Sequence, residues 1–81
     1  MNRILAKVCR ELDRSIEKHG DWKGYNPDDM LTVIHREWNE ADLAAMNGDL
    51  YGEHGVYNEL AQVAATAIKG MLVLRNRREV V

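Results

Sequence analysis

Residues 26–46 read NPDDMLTVIHREWNEADLAAM, and this stretch decides the fold class. Asn26 is a good N-cap and Pro27 fits the first helical position. Asp28 and Asp29 place negative charge in the first turn, where the helix dipole favours it. Leu31, Ile34, Trp38, Ala41 and Ala45 then recur at helical spacing, and Gly48 is the expected stop. Upstream, Ile4, Leu5, Val8, Leu12 and Ile16 mark a helix from about Asn2 to His19, with Gly20 as its terminator. Asp21 to Tyr25 reads as loop. Downstream, a third helix starts between Glu53 and Tyr57, and Val56, Leu60, Val63, Ala67, Met71 and Leu74 share a face. Ala64, Ala67 and Gly70 are small enough for another helix to approach there. Arg75, Arg77 and Arg78 sit at the C-terminal end, where cations are favoured. No segment alternates with period two, so no strand is expected.

The expected architecture is therefore all-α: a three-helix antiparallel array forming one domain over residues 1–81. Such a chain has little core of its own. Its amphipathic helices must pack against something, so the array is expected to complete a bundle as a homodimer or higher homo-oligomer. The composition, 46% hydrophobic and 30% charged, is that of a globular chain. A net charge of −2 argues against nucleic acid as the main partner. Cys9 is the single cysteine, which excludes an internal disulfide and a Cys-rich zinc module. It is read as a small hydrophobic packer in a reducing, cytoplasmic setting. Arg3, Lys7 and Arg10 interrupt any leader-like start. The most apolar stretch, Leu60 to Leu74, is too short to span a membrane, which takes roughly 20 apolar residues.

The informative feature is where certain glutamates fall. At 100° per residue, Glu37 lies inside the apolar arc of the second helix, and Glu40 lies one turn on at its edge. On the third helix, Glu59 lies beside Val56, Val63 and Gly70, and Gln62 and Thr66 continue its line. Buried carboxylates are usually paired or metal-bound. Two readings follow. Glu37-x-x-Glu40 and Glu59-x-x-Gln62 converge on a hard cation, Mg²⁺ or Mn²⁺, if the helices are antiparallel neighbours. Alternatively they are boundary residues paired with Arg36 or Lys69. The histidines do not redirect this choice. Ile16, Thr32 and Tyr51 occupy the positions a Glu-x-x-His pattern would need, which argues against a ferritin-like di-iron site. His35 is read as part of a polar helix face and His54 as a solvent loop residue.

Glu37-Trp38-Asn39-Glu40-Ala41 within Leu31 to Ala45 is similar to the first carboxylate helix of MazG-like nucleoside triphosphate pyrophosphohydrolases. Glu59-Leu60-Ala61-Gln62-Val63 resembles their second motif, usually Glu-Leu-x-Asp-Val. Arg14 with Glu17-Lys18-His19-Gly20 resembles a segment of the small phage and actinobacterial members. The likeness covers roughly Arg14 to Gly70. It implies an all-α, usually oligomeric enzyme that splits a nucleoside triphosphate into monophosphate and pyrophosphate. Carried over, Glu37, Glu40 and Glu59 are metal ligands and catalytic groups. Gln62 stands where the family has its fourth acid, a neutral oxygen that binds Mg²⁺ more weakly. Lys18, His19, Trp22 and Lys69 are the candidate substrate contacts, as phosphate donors or, for Trp22, a surface for a base. The competing expectation is a degenerate relative: a helical homo-oligomer that binds a nucleotide or a protein without chemistry.

Overall fold

The computed structural model describes residues 1–20 and 22–80, excepting the side chains of residues 79 and 80. Asp21, read as loop, lies outside the described residues. Three helices follow one another: α1 (Asn2–His19), α2 (Pro27–Met46) and α3 (Val56–Val80). No strand occurs among the described residues.

The start of α2 follows its local chemistry closely. The Asp29 amide donates to Asn26 Oδ1 at 2.9 Å, and the Asn26 amide donates to Asp29 Oδ2 at 3.2 Å. This reciprocal capping box satisfies two amides that the helix leaves without partners. The stops of α1 and α2 use glycine's access to positive φ. Gly20 (φ 81°) ends α1 with an extended ψ, and its amide reaches Ile16 O at 2.8 Å. Gly48 (φ 73°) turns the chain out of α2.

Helix α3 is the spine. Both other helices pack on it, and α1 and α2 do not pack on each other. Glu59 lies near Glu37 and Glu40, while Met30 approaches Gly70, so α2 runs antiparallel to α3. Lys7 lies over the Tyr57 ring and Lys69 bonds Ser15, so α1 runs parallel to α3. The array is thus up, down, up, with the last helix in the middle.

Its core differs from the sequence pattern. The buried apolar residues are Val8, Trp22, Met30, Ala41, Ala44, Ala61 and Ala65. On α3 the covered line is small or polar, with Ala61, Ala65 and Gly70 beside Glu59, Thr66 and Lys69. Leu60, Met71 and Leu74, expected to face a helix, are exposed in the single chain. Small residues let two flanking helices approach the spine closely, and the bulky ones are turned outward. Leu31 and Trp38 of α2, and Ile4, Leu5 and Ile16 of α1, are exposed as well. Cys9, read as a packer, is exposed on α1.

The α1–α2 connection closes over one end of the spine. Trp22 stacks on Tyr25 with ring centroids 5.6 Å apart, and Arg77 donates to the carbonyls of Lys23 and Tyr25. The Trp22 indole is only 4% exposed and covers the Lys69 ammonium, 4.5 Å from its ring centroid. Trp22 is the largest side chain in a core otherwise rich in alanine. Trp22→Ala is therefore expected to lower unfolding free energy by about 3–5 kcal/mol, as measured by urea denaturation.

Candidate metal centre

Glu37 and Glu40 stand one turn apart on α2, and Glu59 sits in the first turn of α3. The antiparallel packing brings one oxygen of each to within 4.8 Å of the others. Their settings differ. Glu59 is 3% exposed, Glu37 is half-buried, and Glu40 stands in solvent. The Oε2 atoms of Glu37 and Glu59 are shut off from solvent and accept no hydrogen bond.

The pairing with Arg36 or Lys69 does not form. Among the described residues, no lysine or arginine makes an ion pair with Glu37 or Glu59. The nearest approach of a basic side chain to Glu59 among the described residues is that of His54, whose Nδ1 is 3.7 Å from Glu59 Oε1. Both buried carboxyls are consequently held above their ordinary range. Desolvation is the leading cause for each, followed by the negative charge of Glu40. For Glu37 the field of Arg36 offsets this only weakly, and for Glu59 that of His54 does so.

These donors fit a divalent cation. Oxygens around one octahedral Mg²⁺ are about 3–4 Å apart, given bonds of 2.0–2.1 Å. Carboxylates within 4.8 Å of one another reach that spacing by small side-chain adjustments. A cation would satisfy both orphaned oxygens and relieve the mutual repulsion. Gln62 lines the same cleft as Glu37.

That cleft, about 200 Å³, runs between α1 and α3. Its α1 wall carries Glu11, Arg14, Ser15, Lys18 and His19, with Arg14 3.7 Å from Glu11 Oε2, and its floor includes Ala65 and Thr66. The Thr66 hydroxyl is turned back to the Gln62 and Val63 carbonyls. The structure thus brings Lys18 and His19 to the carboxylates but places Lys69 and Trp22 elsewhere. Lys69 is 1% exposed, and its ammonium donates to Ser15 Oγ at 3.2 Å beneath the indole. Lys69 and Trp22 brace the fold rather than line this cleft. His35 stacks near Trp38 in an apolar groove with Leu31 and Val63, away from the glutamates.

His54 is the solvent-exposed loop residue that the sequence predicts, 82% exposed, but its approach to Glu59 was not foreseen. It borders the cleft that Lys18 and His19 line and also a second one lined by Glu40, Asn47, Asp49 and Glu59. No periodicity marks it, because its position depends on how the α2–α3 loop closes.

Compared with known proteins, the chain matches no family model, no curated protein and no solved structure. The assignment of chemistry therefore rests on the residues themselves. Among the described residues, no helix is long and apolar enough to cross a membrane.

The raised carboxyl pKa values have a defined consequence. A folded state that holds protons more tightly than the unfolded chain loses stability as pH rises through the window from the ordinary carboxylate range to the raised values. The metal-free protein is expected to be more stable at about pH 5 than at about pH 8 in urea titrations. Glu59→Gln should flatten that difference.

Proposed function

We propose that the chain is a divalent-cation-dependent nucleoside triphosphate pyrophosphohydrolase of the MazG-like kind. The observation that carries this reading is the pair of solvent-free, unpartnered oxygens on Glu37 and Glu59, converging with Glu40 beside a cleft that Lys18 and His19 line. Glu37, Glu40 and Glu59 hold the ion, and Gln62 adds a neutral oxygen at the cleft wall. Bound there, Mg²⁺ or Mn²⁺ shields phosphate charge and lowers the pKa of a bound water. Lys18, with His19 beside it and Arg14 paired to Glu11, offers donors along the wall where a triphosphate would lie. Glu59, buried under α2, fixes its carboxylate in place, and Glu40 at the solvent edge leaves the centre open to substrate. Hydrolysis at the α-phosphorus yields monophosphate and pyrophosphate, the outcome that the motif resemblance implies. The single cysteine suits a reducing, cytoplasmic setting.

Pyrophosphate release from a panel of ribo- and deoxyribonucleoside triphosphates with Mg²⁺ or Mn²⁺ tests the reading. Turnover should be present in the native protein. Glu59→Gln should reduce it by about 100-fold or more, at or beyond the 10–100-fold cost of losing a supporting group. Metal binding without turnover would favour the non-catalytic relative, whose basis is Gln62 in place of an acid.

The same proposal includes a second copy of the chain. The accessible surface is 6192 Å², whereas a compact monomer of 9.3 kDa exposes about 5,000 Å². The surplus, roughly 1,200 Å² per chain, matches what an obligate homodimer covers. It lies where Leu31 and Trp38 of α2 meet Val63 of α3 in one groove, with Leu60, Met71 and Leu74 exposed along α3. Sedimentation should show a dimer or larger species, and Trp38→Asp combined with Leu60→Asp should shift it toward monomer.

A further inference from the structure

We infer that His54 is a fourth donor to the cation held by Glu37, Glu40 and Glu59, and that it biases the site toward Mn²⁺ over Mg²⁺. This rests on the metal reading above and extends it to the loop that sequence reasoning set aside. The Nδ1···Oε1 distance of 3.7 Å between His54 and Glu59 is too long for a hydrogen bond. It falls within the spacing of two donors sharing one ion, about 3–4 Å. A charge pair alone also leaves the site unexplained. The contact meets Oε1 only, and Glu59 Oε2 stays buried without a partner in a side chain more than nine-tenths covered.

The loop holds residue 54 at this place. Asn58 Nδ2 donates to the carbonyls of Gly52 at 2.9 Å and Glu53 at 3.2 Å, immediately before His54. Asp49 Oδ1 accepts from the Gly52 amide at 2.9 Å, and the Val56 amide returns to Asp49 O at 2.9 Å. Gly55, the next residue, is packed so closely that a Cβ would stand 2.8 Å from Gly52 N and 2.9 Å from the Leu50 carbonyl carbon. The backbone is thus tied on both sides of His54 while its side chain stays free to turn, 82% exposed. Rotation of that ring brings a nitrogen onto the ion from the Glu59 side. Imidazole is a poor partner for Mg²⁺, which prefers an all-oxygen shell, and a good one for transition metals. With Gln62 in place of a fourth acid, a nitrogen donor supplies the coordination that the carboxylates leave open.

The test uses the full chain loaded with Mn²⁺ alone. Electron spin-echo modulation reads a nitrogen bound to manganese directly, and calorimetry gives affinities for Mn²⁺ and Mg²⁺. The native protein and His19→Ala should show ¹⁴N modulation, and His54→Ala should lose it. Mn²⁺ affinity should fall about tenfold in His54→Ala, with Mg²⁺ affinity changed less than about threefold. Because the side chain is exposed, this substitution leaves the packing of the helices untouched. Bound Mn²⁺ without nitrogen modulation, or modulation that survives in His54→Ala, overturns the role of His54 alone. No Mn²⁺ uptake by the native protein overturns both this inference and the proposed function.

Discussion

Three carboxylates gathered within 4.8 Å, two of them stripped of water at one oxygen, are the constraint around which this small chain is arranged. Such a cluster opposes folding. Desolvation penalises each charge and the neighbours repel, which is why Glu37 and Glu59 hold their protons more tightly than free carboxyls do. Among the described residues, no lysine or arginine forms an ion pair with Glu37 or Glu59, and Arg36 offsets the charge on Glu37 only weakly. Lys69, the buried cation of α3, is committed to Ser15 and to the face of Trp22. A chain with a core dominated by alanine has little stability to give away. The proposed cation site would account for such a cluster, because a bound ion would supply the missing counter-charge.

The architecture serves that site. Helix α3 contributes Glu59 from its first turn and meets Met30 of α2 at Gly70, a residue small enough for the two helices to lie close. That closeness lets glutamate side chains from both helices meet. Helix α1 then adds Lys18, His19 and the Arg14–Glu11 pair to the cleft that Glu37 lines. The consequence is an open arrangement, because α1 and α2 each pack on α3 and not on each other. Its outward Leu60, Met71 and Leu74, with Leu31 and Trp38, form the apolar surface that a second chain would cover.

The sequence was legible where local chemistry governs. The capping residues Asn26 and Asp29, the glycines at 20 and 48, and the helical spacing of leucines and valines mark the three helices closely. The candidate glutamates were legible too, because a carboxylate within an apolar arc is conspicuous. What escaped depends on tertiary closure. Periodicity ranks Leu60, Met71 and Leu74 as a packed face but does not distinguish a core from an interface. Lys69 reads as a surface cation until Trp22, arriving from a loop 47 positions earlier, covers it. His54 reads as solvent loop and is exposed there, but its nearness to Glu59 depends on the turn that Asn58 and Asp49 close.

The most direct measurement is anomalous diffraction from crystals of the protein grown with Mn²⁺. The account predicts an anomalous peak bounded by oxygens of Glu37, Glu40 and Glu59, including the Oε2 atoms that otherwise lack partners. Glutamates turned toward bulk water, or bound by lysine or arginine with no peak between them, would contradict it.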